Sequence, residues 1–332
     1  MKKIIKNSSL FAVMTLTLIA AGCSKKSGAT VEDGTLNNAT KLVIGQNLNY
    51  FPIIIAYEKG FFKDEFGNAF EIEIPQFANG PAQNEALKTG QIDIGNVGDL
   101  PTIQLWANGT DIQVISYLFD SPDGQSLLVN KRSGIKTLAD LKGKKIALQF
   151  GATQHKLALK YLTSQGLDTD DVELVHLQKL ESSIALKQGV VDAAILEEPF
   201  VSQTLEDDNI VELSTSRGYD KVFAVTFVRS EYAKKNPQIV SRYLKAIKKA
   251  NDWCAQNADE ATQIVIKFMG SDDFVGTKKY FEARNWPVAA DQELIDSLND
   301  TIKFCREQEM ITRDDLDAKN LVNDAYVKAA GL

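Results

Sequence analysis

From residue 41 onward, short β-branched runs alternate with amphipathic segments, and that alternation admits few folds: a mainly parallel sheet covered by helices. LVIGQN (42–47), FEIEIPQF (70–77), IDIGNVG (92–98), IQVISYL (112–118) and QSLLVN (125–130) read as strands. KIALQF (145–150), VELVHLQ (172–178), DAAILEEP (192–199) and residues 222–228 continue the series. Between them, helices are predicted at 56–62, at 81–88 with Pro81 in the first turn and Gly90 past the end, and at 180–189. A further helix follows GATQH (151–155), with apolar residues at 157, 158, 161 and 162. Gly134 and Gly143 bracket a short one. Beyond 229 the chain reads as mainly helical, with Trp253, Ile264, Phe268, Leu294, Leu298, Ile302 and Phe304 as core-facing candidates. The pattern is an α/β chain in two lobes: 41–130 with 229–332, and an insertion-like lobe at 131–228.

At 332 residues with 44% hydrophobic content, the chain can bury a large core without metals or disulfides, so disordered and stapled mini-protein classes are excluded. A formal charge of -7 and the lack of a basic patch argue against a nucleic-acid partner. Lys2, Lys3 and Lys6 precede an apolar run at 10–21 that ends in Gly22-Cys23. This is signal-peptide anatomy, too short for a membrane span, expected to occupy 1–22. Residues 23–40 are polar and rich in Gly, Ser and Asn, so they read as a flexible tether. Cys254 and Cys305 fall in helix-like segments without zinc-type spacing, and sequence leaves their pairing open.

Several ordered segments carry a resemblance. YFPIIIAYEKGFFKDEFG (50–67), ALKTGQIDIGNVGDLPTI (86–103), SGIKTLADLKGKKIALQFGATQH (133–155) and VDAAILEEPF (191–200) resemble the substrate-binding proteins of ABC importers for nitrate, aliphatic sulfonates and taurine. The resemblance implies a two-lobed periplasmic-binding-protein-like fold of type II, with two crossover segments near 130/131 and 228/229. It implies hinge closure on a small organic anion or zwitterion, delivery to a permease and ATPase complex, and no catalysis or cofactor. A monomer is expected. Ala20-Ala21-Gly22-Cys23 resembles the bacterial lipoprotein box, apart from Ala20 where Leu is usual, which implies a lipid anchor on Cys23 and an extracytoplasmic location.

Candidate site residues sit after strands, where open α/β sheets bind ligands. Thr153, Gln154 and His155 open a helix whose free N–H groups suit an anion, and Thr153 can also cap it. The family resemblance supports this loop, since a small hydroxyl residue followed by His is kept there. Asn49, Tyr50 and Phe51 offer an amide and two rings, although the rings could equally staple the next helix. Asn79 follows the second strand and is also explained by a turn. Gly98 permits close backbone approach, while Asp99 is expected to be an N-cap whose charge repels an anion. Glu197 and Glu198 precede Pro199; if both face the cleft unpaired, they call for a ligand with an amine or other cationic group.

Enzyme readings lack parts. Only His155 and His176 occur, no HExxH, GxSxG or P-loop motif is present, and adjacent Glu197 and Glu198 cannot flank one bond. No metal site is expected. Two alternatives stay open: a receptor for a thiamine-pyrimidine precursor or another heterocycle, and a surface sensor lipoprotein without transport.

Overall fold

The structure is a computed structural model, and it describes residues 40–47 and 50–332. The signal segment, Cys23 and Asn49 lie outside the described residues.

The chain runs β1 (Thr40–Val43), β2 (Gln46–Asn47), α1 (Phe51–Glu58), α2 (Phe61–Phe66), β3 (Phe70–Glu73), β4 (Gln76–Phe77), α3 (Gly80–Lys88), β5 (Ile94–Gly98), α4 (Asp99–Ala107) and β6 (Ile112–Ser121). It continues through β7 (Ser126–Asn130), β8 (Lys145–Leu148), α5 (Thr153–Ser164), β9 (Glu173–His176), α6 (Lys179–Gln188), β10 (Ala193–Leu196), α7 (Phe200–Leu205) and β11 (Ile210–Thr215). It then returns through β12 (Val222–Arg229), α8 (Ser230–Lys235), α9 (Pro237–Gln256), α10 (Ala258–Met269), α11 (Phe274–Glu282), α12 (Gln292–Glu307) and α13 (Ala325–Ala330). The βα alternation read from the sequence is therefore the backbone of the fold. The two long initial runs each break in two, and the segment between Gly134 and Gly143 forms one short 3-10 turn at Leu138–Leu141.

Two sheets organise these elements. One has the order β11-β7-β10-β8-β9, with β10, β8 and β9 parallel and β7 antiparallel to both neighbours. The other has β12 between β5 and β6, antiparallel to both. The parallel pairs β1-β3 and β2-β4 extend it through a bridge between Ile44 and Ile94. Strand membership differs from the expected crossover points at 130/131 and 228/229. β7 pairs with β10 and β11, and β12 pairs with β5 and β6, so the chain changes sheets at 122–125 and again at 216–221. A β-branched run reads the same in either sheet, so hydropathy could not assign the partner. β11, IVELST, is a further strand beyond those read from the sequence.

Helices cover both sheets. In α9, Val240, Tyr243, Leu244, Ile247, Ala250 and Cys254 recur at helical spacing and are buried, while lysines fill the opposite face. α1 buries every residue from Phe51 to Ala56. Leu294, Leu298, Ile302 and Phe304 of α12 are buried as the sequence predicts, and Trp253, Ile264 and Phe268 pack partly buried against the same core. A smaller cluster of Leu128, Leu186, Ala194, Leu196, Val201 and Ile210 glues α6 and α7 to the five-stranded sheet. Cys254 and Cys305 are separate buried thiols, each pushed up to about 12 by burial.

Candidate ligand site between the two sheets

The ends of six strands face one cavity. Asn47 from the end of β2, Tyr50, Asn79, Gly98, Gln149, Thr153, Gln154, Lys179 and Glu197 line it, with Phe119 and Phe223 as apolar walls. Its volume is about 40 Å³. α1, α3, α4, α5 and α6 all begin here, because each follows a strand of a βα unit and so points its amino end at the strand's carboxyl edge. Helix amino ends carry partial positive charge and unpaired N–H groups.

Each predicted residue has a definite place. Tyr50 precedes α1 and lines the cavity; burial and the nearby Glu197 carboxylate push its hydroxyl up, so it stays protonated. Phe51 does not reach the cavity. Its ring packs against Tyr280 at 4.2 Å and Phe281 at 5.7 Å, so it belongs to the core. Asn79 does two jobs: Oδ1 accepts from Ala82 N at 2.9 Å, capping α3, and the residue also borders the cavity.

Gly98 is the N-cap of α4, and Asp99 is its first residue, which corrects the expected cap. The Asp99 carboxylate instead turns away, into a buried network. It accepts from Thr301 Oγ1 at 2.6 Å and from Lys156 Nζ; the same Nζ lies 3.0 Å from Asp220, which Lys160 meets at 2.6 Å. Lys156, Asp99 and Asp220 side chains are no more than 3% exposed. The space at Gly98 is taken by protein: a Cβ there would meet Thr153 Cγ2 at 2.5 Å.

Thr153 is the first residue of α5 and Ala152 holds the cap position, so Thr153 does not cap. Its Oγ1 accepts from Gln125 Nε2 at 2.6 Å, tying α5 to the crossover. His155 points off the cavity. Its ring stacks on Phe150 at 5.2 Å, Nδ1 accepts from Gly151 N at 3.4 Å, and burial lowers its pKa. His176 flanks the same Phe150 ring and accepts from Phe150 N at 2.9 Å, a structural role.

The two glutamates separate. Glu198 accepts from Ser202 N and Oγ at 3.1 and 2.9 Å and faces a different pocket with Lys279, where burial raises its pKa. Glu197 lines the cavity but is fully engaged: Lys179 Nζ at 2.5 Å, Gln154 Nε2 at 3.2 Å and Arg284 Nη2 at 3.4 Å surround its carboxylate. The premise of unpaired cleft carboxylates therefore does not hold. Lys179 shares the cavity wall with Glu197, whereas Arg284 holds the carboxylate from behind and lines the neighbouring pocket with Glu198, so Glu197 is neutralised without help from a ligand.

Sequence reasoning missed Lys179, Arg284 and Gln149. Lys179 opens α6 directly after a strand and loop, the same signal that drew attention to Thr153. Arg284 has no local signal. It follows α11, its guanidinium lies 3.6 Å from the Tyr280 ring centre and 4.9 Å from that of Phe119, and only tertiary folding brings it to Glu197.

Among the described residues no group of three His, Cys, Asp or Glu side chains is placed to hold a metal ion. No helix there is long and apolar enough to cross a membrane.

The chain is 30% identical over 327 residues to a putative aliphatic sulfonates-binding protein of Bacillus subtilis, covering 97% of this chain and 96% of that one. It is 26% identical to the taurine-binding periplasmic protein of Escherichia coli, over 67% and 68% of the two chains. The alkanesulfonate-binding protein from Xanthomonas axonopodis pv. citri, solved bound to MOPS, superposes with a TM-score of 0.79 at 22% identity, covering 86% of this chain and 99% of that one. That likeness establishes the periplasmic-binding-protein-like α/β fold expected from the sequence. Residues 47–261 match the NMT1/THI5-like family, and this span holds most of the cavity wall, so the chain belongs to that family, with sulfonate- and taurine-binding proteins among its relatives.

Proposed function

We propose that this protein is the extracytoplasmic receptor of an ABC importer that captures a small organic anion of the sulfonate type. The observation that supports the reading is the donor character of the cavity: several helix amino ends meet at it, Lys179 is the cation in its wall, and the one carboxylate beside it, Glu197, is already paired with Lys179 and, from behind, with Arg284. The names of the relatives supply the sulfonate headgroup. In this reading Asn47, Tyr50, Asn79, Gln149, Thr153 and Gln154 provide polar contacts, and Phe119 and Phe223 meet the alkyl part.

The two lobes are 40–121 with 222–332, and 126–215, joined at the two changes of sheet. Closure about these joints buries the ligand, which must favour the closed state to shift the equilibrium. Residues 1–22 direct export, Cys23 carries the lipid, and the closed monomer is presented to a permease and ATPase. Removing the leader leaves a receptor that takes no part in covalent chemistry.

The test is calorimetric titration of the chain from Ser24 onward with 1-propanesulfonate, nitrate and a thiamine-type aminopyrimidine. Saturable binding of the sulfonate is expected. Binding of the pyrimidine alone overturns the sulfonate reading in favour of a heterocycle receptor. In parallel, Cys23→Ser should move the protein out of the membrane fraction, and an unchanged distribution removes the lipid anchor.

A further inference from the structure

The pairing at Glu197 bears on which sulfonates the cavity takes, an inference that rests on the sulfonate reading above. Among the described residues Glu197 is the one acidic side chain lining the cavity, and it is buried. Its two oxygens are already served by three donors, Lys179 and Gln154 on Oε1 and Arg284 on Oε2. Arg284 is itself held in place: its side chain is 1% exposed, Nη1 donates to Tyr280 O at 3.1 Å, and two aromatic rings flank it. Lys179 is the more exposed member, at the start of α6 with 15% of its side chain accessible and Glu197 as its ion-pair partner.

We infer that Lys179 is a specificity-determining residue that makes the receptor prefer sulfonates lacking an amine over amino-sulfonates. An ammonium entering the cavity finds no free carboxylate, and it would stand beside Lys179, a like charge in the cavity wall, with Arg284 behind Glu197 adding to the repulsion. A ligand with a methyl in place of that ammonium meets no such repulsion. The anionic headgroup shares Lys179 with Glu197, and the lysine needs no new partner when the cavity empties. Without Lys179, Glu197 would keep only one cation, at 3.4 Å, and would be available to accept from an ammonium.

The near-isosteric pair 1-propanesulfonate and taurine tests this, since they differ by a methyl against an ammonium. Calorimetry on the wild-type chain should give a preference of about tenfold or more for propanesulfonate. Lys179→Met should weaken propanesulfonate by about tenfold and strengthen taurine, inverting or abolishing the preference. The double variant K179M/E197Q should lose the taurine gain, because the gain requires the carboxylate. Near-equal wild-type affinities, or a ratio that K179M leaves unchanged, overturn the inference while leaving a sulfonate receptor intact. Failure of the wild-type chain to bind either ligand overturns both. Circular dichroism of each variant controls for folding, and Lys179→Arg, which restores the cation, should recover the wild-type preference.

Discussion

Replacing Lys156 by Met removes the cation from a buried network that joins α5 of the five-stranded sheet to α4 and α12 on the other side. The lysine is 2% exposed, Asp99 is 0% and Asp220 is 3%. One charge pair at 3.0 Å in an effective dielectric of about 20 gains on the order of 5 kcal/mol. Desolvation of the buried charges takes back most of that in the intact network. Deleting the lysine alone forfeits the attraction and keeps the desolvation of the carboxylates, for a net loss of about 3–5 kcal/mol. Asp220 retains Lys160, but Asp99 is left with Thr301 Oγ1 as its partner. A lone buried carboxyl group is cheaper with its proton on. The folded variant then binds a proton that the unfolded chain releases, so the sign is clear: the penalty is largest near neutral pH and shrinks as pH falls. Urea denaturation followed by tryptophan fluorescence, at about pH 7.5 and about pH 5, reads both quantities. Adding Asp99→Asn to Lys156→Met should recover most of the loss and remove its pH dependence. A penalty below about 1 kcal/mol, or one equal at both pH values, would refute the reasoning.

Two further outcomes follow from the same geometry. Gly98→Ala puts a methyl group where Thr153 Cγ2 sits, so it should hold the two sides of the cavity apart and weaken ligand binding about tenfold with the fold intact; adding Thr153→Ser, which lacks that methyl, should restore affinity by calorimetry. Wild-type affinity in Gly98→Ala alone would show that this contact does not set closure. His155 has its pKa lowered by burial, so the unfolded chain binds more protons than the folded one just below the ordinary histidine range. Its contribution is present above about pH 6.5 and is lost as pH falls through the folded value, and His155→Asn, with an acceptor in place of Nδ1, should flatten that part of the stability profile in urea melts. An identical acid slope in wild type and variant would remove His155 from the account.

The fold was legible where hydrophobic period decides structure. Strand and helix identities in the βα units came through because a buried parallel strand must be a short β-branched run and its covering helix must repeat at 3–4 residues. Sheet membership was not, since β7 and β12 look alike in hydropathy whichever sheet they enter. Of the candidate residues in the strand-to-helix loops, Tyr50, Asn79, Gly98, Thr153, Gln154 and Glu197 line one cavity, because the loops at the carboxyl edges of the strands converge there. The candidate site was misread where one side chain has a tertiary partner. Glu197 seemed to ask for a cationic ligand because Arg284, which neutralises it, lies 87 residues further along the chain. Phe51 could be ligand wall or core with equal reason until Tyr280 and Phe281 were found against it. Asp99, two residues before Pro101, has the local chemistry of a cap, but a buried lysine competes successfully for its carboxylate.

The order of strands around β12 also bears on biosynthesis. β12 is the central strand of its sheet, bonded to β5 on one side and β6 on the other, yet it is made only after the whole five-stranded sheet has been encoded. At about 5–20 residues per second, the roughly one hundred residues between β6 and β12 take some 5–20 s to emerge. Through that interval the inserted lobe is continuous in sequence and can fold, while β5 and β6 wait with unpaired edges. Until β12 arrives the chain presents two open strand edges, so its longest-lived vulnerability during synthesis lies in its first half.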